Sequence, residues 1–226
     1  FNKYSIKESA NLFKKICGKI IHTEVLEAEL VKLFSNAYRY IHFSISNQFY
    51  MICKKENLDF DKVRNIMRDG YSRNTNIPSS GFSAGPCLLK DTMQLSSFYN
   101  NKLPLGYAAM RINQGLPKFI IKELEKNNDL RKKTIGLLGL AFKAETDDIR
   151  DSLAIELKNI LKLKKIKTLV SDEYYKDKNN ISKESLIRKS DIIILTTPHK
   201  IYKKLKINKN KKVLIDIWGF FEKKKK

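Results

Sequence analysis

Apolar residues recur at helical spacing from Val25 to about Cys53, with neither Gly nor Pro among them, and this pattern predicts one long helix. Thr23 offers an N-cap for it, and Glu24 and Glu27 fall in the first turn, where the helix dipole favours negative charge. Lys32, Asn36 and Arg39 recur at i, i+4 and i+7 and share one face, while Leu30, Leu33, Phe34 and Ala37 serve the other sides. Upstream, a helix from roughly Ser5 to Cys17 is followed by the short apolar segment Lys19–His22, which reads as a strand. Downstream, Asp59–Asp69 reads as a second helix and Tyr71–Ser80 as an irregular polar loop, and a further helix opens at Leu88. Ala108 to about Asn127 continues the helical pattern, interrupted or kinked near Gly115 and Pro117.

The periodicity changes after the charged stretch Lys126–Lys133. Thr134–Ala141, Lys167–Asp172, Asp191–Thr197 and Lys212–Ile217 are short apolar runs with a strand signature, and Asp151–Leu163 and Ser182–Lys189 between them are helical. Strands alternating with helices imply a parallel, doubly wound sheet whose ligand sits beyond the carboxyl ends of the strands. The fold class is therefore α/β, a mainly helical central domain followed by a Rossmann-like parallel-sheet domain. Gly136 and Gly139 give only G-x-x-G, and the G-x-G-x-x-G dinucleotide fingerprint does not occur in the chain.

Composition narrows the function. The 226 residues suffice for one large or two small domains, and no apolar run approaches the roughly 20 residues of a membrane span. Cys17, Cys53 and Cys87 are odd in number and widely spaced, which suits a reducing cytoplasm better than a disulfide framework. His22, His42 and His199 form no metal-ligand spacing with them, so no metal is expected. A net charge of +21 would ordinarily point to nucleic acid. Here the lysines are spread through every segment among many Asn and Ile, no nucleic-acid motif accompanies them, and the one dense cluster, Lys223–Lys226, reads as a solvated tail. A basic nucleic-acid-binding protein is thus the weakest of three readings, and neither nucleic acid nor membrane is expected as a partner.

The chemistry centres on the stretch from Gly81 to Leu95. Gly81 and Gly85 allow a tight turn, Pro86 restrains it, and Cys87 stands at the N-terminus of the helix that begins with Leu88. Unpaired N–H groups and the positive dipole end there favour thiolate over thiol, which makes Cys87 the candidate nucleophile. Lys90 adds positive charge three residues on, and Asp91, at i+4, shares the cysteine's face, where a carboxylate could orient or deprotonate a water. Free cysteines are mostly buried small hydrophobes, so the surrounding pattern is what singles this one out.

That pattern, a Gly-rich turn, a cysteine, then Lys-Asp three and four residues later, resembles the active-site segment of the UDP-glucose/GDP-mannose dehydrogenase family, with Ala84-Gly85-Pro86 departing from the family's usual residues before the cysteine. Ala28–Asn36 resembles the same family's core helix, in which the equivalents of Lys32 and Asn36 point into the active site, and Gly139–Ser152 resembles a loop of its carboxyl-terminal nucleotide-sugar-binding domain. The resemblance implies an NAD-dependent nucleotide-sugar 6-dehydrogenase. A C6 alcohol is oxidised twice to a carboxylate through a thiohemiacetal and a thioester on Cys87, with Lys32 stabilising oxyanions, Asn36 bonding the reacting oxygen or a water, and Asp91 helping water reach the thioester.

By the same resemblance Arg39, Arg73, Asn76, Phe142 and Lys143 bind substrate, and Lys90 and Arg150 approach the cofactor, NAD. Lys90-Asp91-Thr92 resembles the UDP-glucose and GDP-mannose branches, whereas Asn36–Arg39 with Arg73 and Asn76 resembles the UDP-N-acetylhexosamine branch, so both substrates stay open. Residues 1–22 then read as the remnant of an NAD-binding domain, 23–130 as the helical central domain with the cysteine, and 131–226 as the UDP-sugar-binding domain. On this reading the chain is expected to be a carboxyl-terminal fragment that by itself neither binds NAD tightly nor turns over. The family further implies a homodimer through the central helices. The alternative from another class is a non-catalytic nucleotide-sugar-binding or dimerisation module.

Overall fold

The structure, a computed structural model, describes residues 2–83, 85–176, 179–208 and 210–221; Ala84 of the cysteine turn and the Lys223–Lys226 cluster lie outside the described residues. The chain divides into two compact units, Phe1–Ser35 and Asn36–Lys226.

In the first unit α1 (Lys3–Phe13) is capped by Asn2, whose side chain accepts from the Ser5 N–H. It ends four residues before the expected Cys17, and the Lys19–His22 segment is not a strand. Ile21 is exposed there, and an apolar run without a neighbouring strand has nowhere to place its backbone donors and acceptors. α2 (Val25–Lys55) begins in this unit and continues into the second. Its start corrects the Thr23 cap: the helix opens at Val25, and the Thr23 hydroxyl donates to the Glu27 carboxylate instead, which also accepts the Glu24 N–H.

In the second unit α2 is followed by α3 (Phe60–Arg68), α4 (Leu88–Phe98) and α5 (Pro104–Glu125). Asp59 caps α3 by accepting from the Asp61 N–H. α5 starts four residues earlier than its pattern suggested, because Pro104 at the first helical positions is favoured there, and it runs through Gly115 and Pro117 without interruption. Pro117 is buried against the core, so packing holds the helix where local propensity alone would break it.

The strands β1 (Thr134–Leu138), β2 (Lys167–Ser171), β3 (Ile192–Leu195) and β4 (Val213–Asp216) pair in the order β2-β1-β3-β4, all parallel. α6 (Leu153–Leu163) and α7 (Lys183–Lys189) connect them. Side chains alternate between two faces, and both faces are covered. Ile135, Leu137, Ile192 and Ile194 meet Leu116, Ile120 and Leu124 of α5 and Leu153, Leu157 and Leu161 of α6. Leu138, Ile193 and Leu195 meet Leu186 of α7 and Tyr202. That is why the strands read as unbroken apolar runs. The core on the first face continues through Tyr50, Phe60 and Phe82, so helices and sheet share it, and Leu130, inside the charged Lys126–Lys133 stretch, is only 4% exposed within it.

α6 starts where Ser152 accepts from the Ala154 N–H at 3.2 Å. Ser152→Ala is expected to lower unfolding stability by about 1 kcal/mol, the worth of one N-cap, measured by urea denaturation.

Candidate active site

The strand order reverses between β1 and β3, and in parallel α/β sheets a ligand crevice opens at such a point beyond the strands' carboxyl ends. A cavity of about 340 Å³ lies there. Phe142, Lys143 and Ala144 reach it from the segment after β1, Pro198 from the segment after β3, and Trp218 from that after β4. The helical part supplies Asn36, Arg39 and Phe43 from α2, and Phe82, Ser83, Gly85, Pro86, Cys87 and Leu88 from the glycine turn and the start of α4.

The turn is gripped from below by one amide. Asn47, fully buried on α2, accepts the Gly81 N–H at 2.8 Å and donates to the Gly81 carbonyl at 3.0 Å, pairing with that residue as a neighbouring strand would. It also donates to Asn113 Oδ1 at 2.9 Å, and Asn113 donates to the Tyr40 carbonyl, so four backbone and side-chain groups of the core are satisfied by two asparagines. Gly81 (φ +150°) lies under the Trp218 ring and Gly85 (φ +103°) under the Phe142 ring. A Cβ at either position would overlap the ring, which is the reason for glycine at both. Trp218 is fixed in turn by its indole N–H, which donates to the Thr196 carbonyl at 3.2 Å.

Cys87 occupies the N-cap position of α4, the helix N-terminus where the sequence pattern put it; its side chain makes no capping hydrogen bond and is exposed. Cys53 is buried, and burial pushes its thiol up, away from thiolate chemistry. Asp91, one turn after Cys87, is fully buried, and its Oδ2 accepts from Asn36 Nδ2 at 2.5 Å. A carboxylate beside an amide selects its NH₂ end, so Asn36 Oδ1 is turned away from Asp91. Asp91 thus stands behind Asn36 in the wall of the site.

Of the residues singled out in the sequence, the structure gathers Asn36, Arg39, Cys87, Phe142 and Lys143 around one cavity, with Asp91 behind them. Lys143 lies over the Phe142 ring, 5.4 Å from its centroid, a cation–π contact that orients the ammonium group. Lys90 is exposed on the first turn of α4. Arg73 and Asn76 are exposed on the loop around a 3₁₀ turn (Ser72–Asn74) and do not line the cavity; this loop is held by Arg64 and Arg68, which donate to the Ile77 and Thr75 carbonyls. Lys32 belongs to the first unit.

Arg150 is exposed and forks onto Asp148, with Nη2 2.7 Å from Oδ2. The hydrogen bond to Asp148 raises the Arg150 pKa, and the Asp148 charge adds to the same effect. Asp148, chiefly through the Arg150 side chain, is lowered to about 2 from an ordinary carboxyl value near 3.9. A depressed acid contributes above its unfolded pKa and loses that contribution as pH falls through the folded one. Asp148 is therefore expected to hold the loop's ion pair at every pH above about 4 and to release it only as pH approaches about 2, with a carboxyl NMR titration midpoint near that value.

Sequence reasoning missed Asn47, Asn113 and Trp218. Two asparagines at otherwise apolar positions of predicted helices were the available signal for the first pair. Nothing local distinguishes Trp218 before the turn after β4 meets Gly81. No cluster of His, Cys, Asp and Glu able to hold a metal occurs among the described residues, and none of their helices is long and apolar enough to cross a membrane.

A thiol-bearing cleft at the switch point of a parallel sheet, apolar in its walls and carrying two cationic side chains, has the charge and shape to receive an anionic small molecule. Residues 26–115 match the central domain, and residues 136–223 the UDP binding domain, of the UDP-glucose/GDP-mannose dehydrogenase family. The chain belongs to this family. It is 29% identical over 209 residues to a UDP-N-acetyl-D-mannosamine dehydrogenase of Pyrococcus horikoshii, a match covering 87% of this chain and 49% of that protein. It is also 29% identical over 219 residues to a UDP-glucose 6-dehydrogenase of Rickettsia bellii, covering 84% of this chain and 50% of the relative. The solved structure of UDP-D-ManNAc dehydrogenase from Pyrococcus horikoshii superposes with a TM-score of 0.75 at 28% identity, over 88% of this chain and 49% of that one. The chain thus spans about half the length of the relatives it matches, which are nucleotide-sugar dehydrogenases.

Proposed function

We propose that this chain supplies the catalytic and nucleotide-sugar-binding parts of an NAD-dependent nucleotide-sugar 6-dehydrogenase, divided as 23–130 and 131–226, with residues 1–22 belonging to an NAD-binding domain. The observation that carries the reading is an exposed thiol at the N-cap position of α4, Cys87, opening on the same cavity as Asn36, Arg39 and Lys143. The substrate is a UDP-sugar, UDP-glucose or a UDP-N-acetylhexosamine, whose diphosphate suits the Arg39 and Lys143 charges. Arg73 and Asn76 would contact it from the loop beside α3.

Two exposed cations suit a nicotinamide cofactor. Arg150, exposed on the segment between β1 and α6 that also carries Phe142 and Lys143, and Lys90, exposed on the first turn of α4, would bring positive charge toward a dinucleotide's phosphates. NAD, when bound, would accept hydride in both oxidations. Cys87 Sγ adds to the C6 aldehyde carbon to form a thiohemiacetal, whose oxidation leaves a thioester; water then adds to the thioester carbon, the C–S bond breaks, and carboxylate and thiolate separate. Lys32 would stabilise the oxyanions of these steps, and Asn36 Oδ1 would accept from the attacking water, held in place by Asp91.

A homodimer through α2 accords with the exposed apolar residues Tyr38, Ile45, Phe49 and Ile52, which recur on one side of that helix, and the cytoplasm accords with three free cysteines.

Trp218 is the only tryptophan in the chain and lines the cavity, so binding can be read directly. Titration with UDP-glucose or a UDP-N-acetylhexosamine is expected to change its fluorescence saturably, and Lys143→Ala to weaken binding about tenfold, the scale of one charge-assisted contact. A flat titration with every UDP-sugar would overturn the reading.

A further inference from the structure

The segment that brings Phe142 and Lys143 to the cavity is not held by the cavity itself. Its two ends meet one buried pair of side chains, Asp172 at the end of β2 and His199 after β3. Asp172 Oδ2 accepts the Leu140 N–H at 2.5 Å and the Ala141 N–H at 3.1 Å, and lies 3.3 Å from His199 Nε2. His199 Nδ1 accepts the Glu145 N–H at 3.0 Å. An imidazole nitrogen that accepts a backbone N–H carries no proton, so the proton sits on Nε2 and points at Asp172. The other Asp172 oxygen accepts the Tyr174 and Tyr175 N–H groups. Burial works against the Asp172 charge, but the His199 hydrogen bond and these backbone donors outweigh it and hold the carboxyl well below its usual range.

His199 is fully buried, stacked on Tyr174 at 4.7 Å and edge-on to Tyr202, and does not line the cavity. Glu145 has φ +59°, a left-handed conformation unfavourable for a residue with a Cβ, so external contacts have to hold it there. Its carboxylate takes the Lys200 N–H at 2.9 Å and the Tyr174 hydroxyl at 3.0 Å, and His199 takes its N–H. The result is a turn from Leu140 to Glu145 clamped at both ends, with Phe142 and Lys143 in its middle.

We propose that His199 is a positioning residue of this site: through the Glu145 N–H and through Asp172 it sets the turn that places Phe142 and Lys143 in the wall of the Cys87 cavity. The inference rests on the nucleotide-sugar reading for the ligand, but not for the placement of the turn. Histidine is suited to the task because a neutral imidazole offers one acceptor and one donor on opposite edges. Asparagine can offer an acceptor near the place of Nδ1, and leucine offers none.

The test compares His199→Asn with His199→Leu in the full chain. Without ligand, the alkylation rate of Cys87 by iodoacetamide is followed by peptide mass spectrometry, with exposed Cys17 as the internal reference. The Cys87-to-Cys17 ratio is expected to rise about tenfold in His199→Leu and to stay near the parent value in His199→Asn. UDP-glucose affinity read from Trp218 should fall about tenfold in the leucine variant and recover in the asparagine variant. Melting temperatures should fall in both, because both lose the ring's packing. If His199→Leu does not fold, His199→Gln, whose amide can reach Asp172 without offering an acceptor to Glu145, is expected to behave like the leucine variant. A parent-like alkylation ratio in the leucine or glutamine variant, or a ratio in which asparagine is as disturbed as leucine, would overturn the proposal. If the parent chain ignores UDP-glucose, the affinity arm is read with a UDP-N-acetylhexosamine; if it ignores every UDP-sugar, the nucleotide-sugar reading fails, and the alkylation ratio still decides the role of His199.

Discussion

Replacement of Cys87 by serine is expected to abolish conversion of a UDP-sugar to its uronate, by at least on the order of 10³-fold, in the enzyme that contains this chain. A serine hydroxyl has no thiolate-like ionised form at neutral pH, and no His lines the cavity to take its proton: among the described residues the charged, amide and hydroxyl side chains that share the cavity with Cys87 are Asn36, Arg39, Ser83 and Lys143. Binding of the UDP-sugar should persist, because the cationic side chains proposed to receive it are unchanged. Asp91→Asn should act at a different step. Asp91 is buried behind Asn36 and fixes which end of that amide faces the cavity. An amide in its place can pair with Asn36 in either orientation, so the water that Asn36 Oδ1 would hold is lost and thioester hydrolysis slows most. Intact-mass spectrometry after incubation with NAD and substrate is expected to show an adduct on Cys87 in this variant. Full turnover by Cys87→Ser, or an adduct carried only by Cys17 or Cys53, would show that another sulfur is the nucleophile.

The second large effect is expected at a residue that touches no ligand. Asn47→Leu removes the amide that satisfies the Gly81 N–H and one side-chain oxygen of Asn113, both of them buried, and leaves the Gly81 carbonyl with the Ser83 N–H as its donor. Each orphaned polar group costs on the order of 1–3 kcal/mol, so a loss of roughly 3 kcal/mol is expected in urea denaturation, a large share of the stability of an ordinary domain. The turn that carries Cys87 hangs from that pairing, so UDP-sugar affinity should fall with stability. Asn113→Leu should cost less, because Gly81 keeps both of its bonds. Equal stability of Asn47→Leu and the parent would mean that the turn is held by Trp218 and Phe142 packing on the two glycines alone.

Much of this was legible in the sequence because local physics and the final structure agree there. The long helix from Val25 and the helix that opens at Leu88 behind a cysteine follow from helical periodicity and from Gly and Pro placement, and the four strands after Thr134 from short apolar runs. The strands were readable as parallel because helices alternate with them along the chain, and they are apolar on both faces because the sheet is covered on both sides. The misread elements are those where neighbours outweigh propensity. Lys19–His22 has strand composition but no partner strand, and α5 passes through Pro117 because the core holds it on both sides of the proline.

For the site, local pattern already shows which residue types could do chemistry and in what order along the chain: a thiol at a helix N-terminus, a carboxylate one turn later, cations on α2 and after β1. Which of them meet depends on how the elements pack. Asn36 and Asp91 are 55 residues apart and joined by one hydrogen bond, and Gly81 and Trp218 are neighbours across most of the chain. Asp172 and His199, unremarkable at the ends of two strands, become a clamp on a third segment because a parallel sheet gathers the carboxyl ends of its strands at one edge. Spacing along a chain fixes what shares a helix face or a strand face; contacts between elements arise from the packing of their apolar sides, and the polar groups carried along with those sides find their partners only once that packing is made.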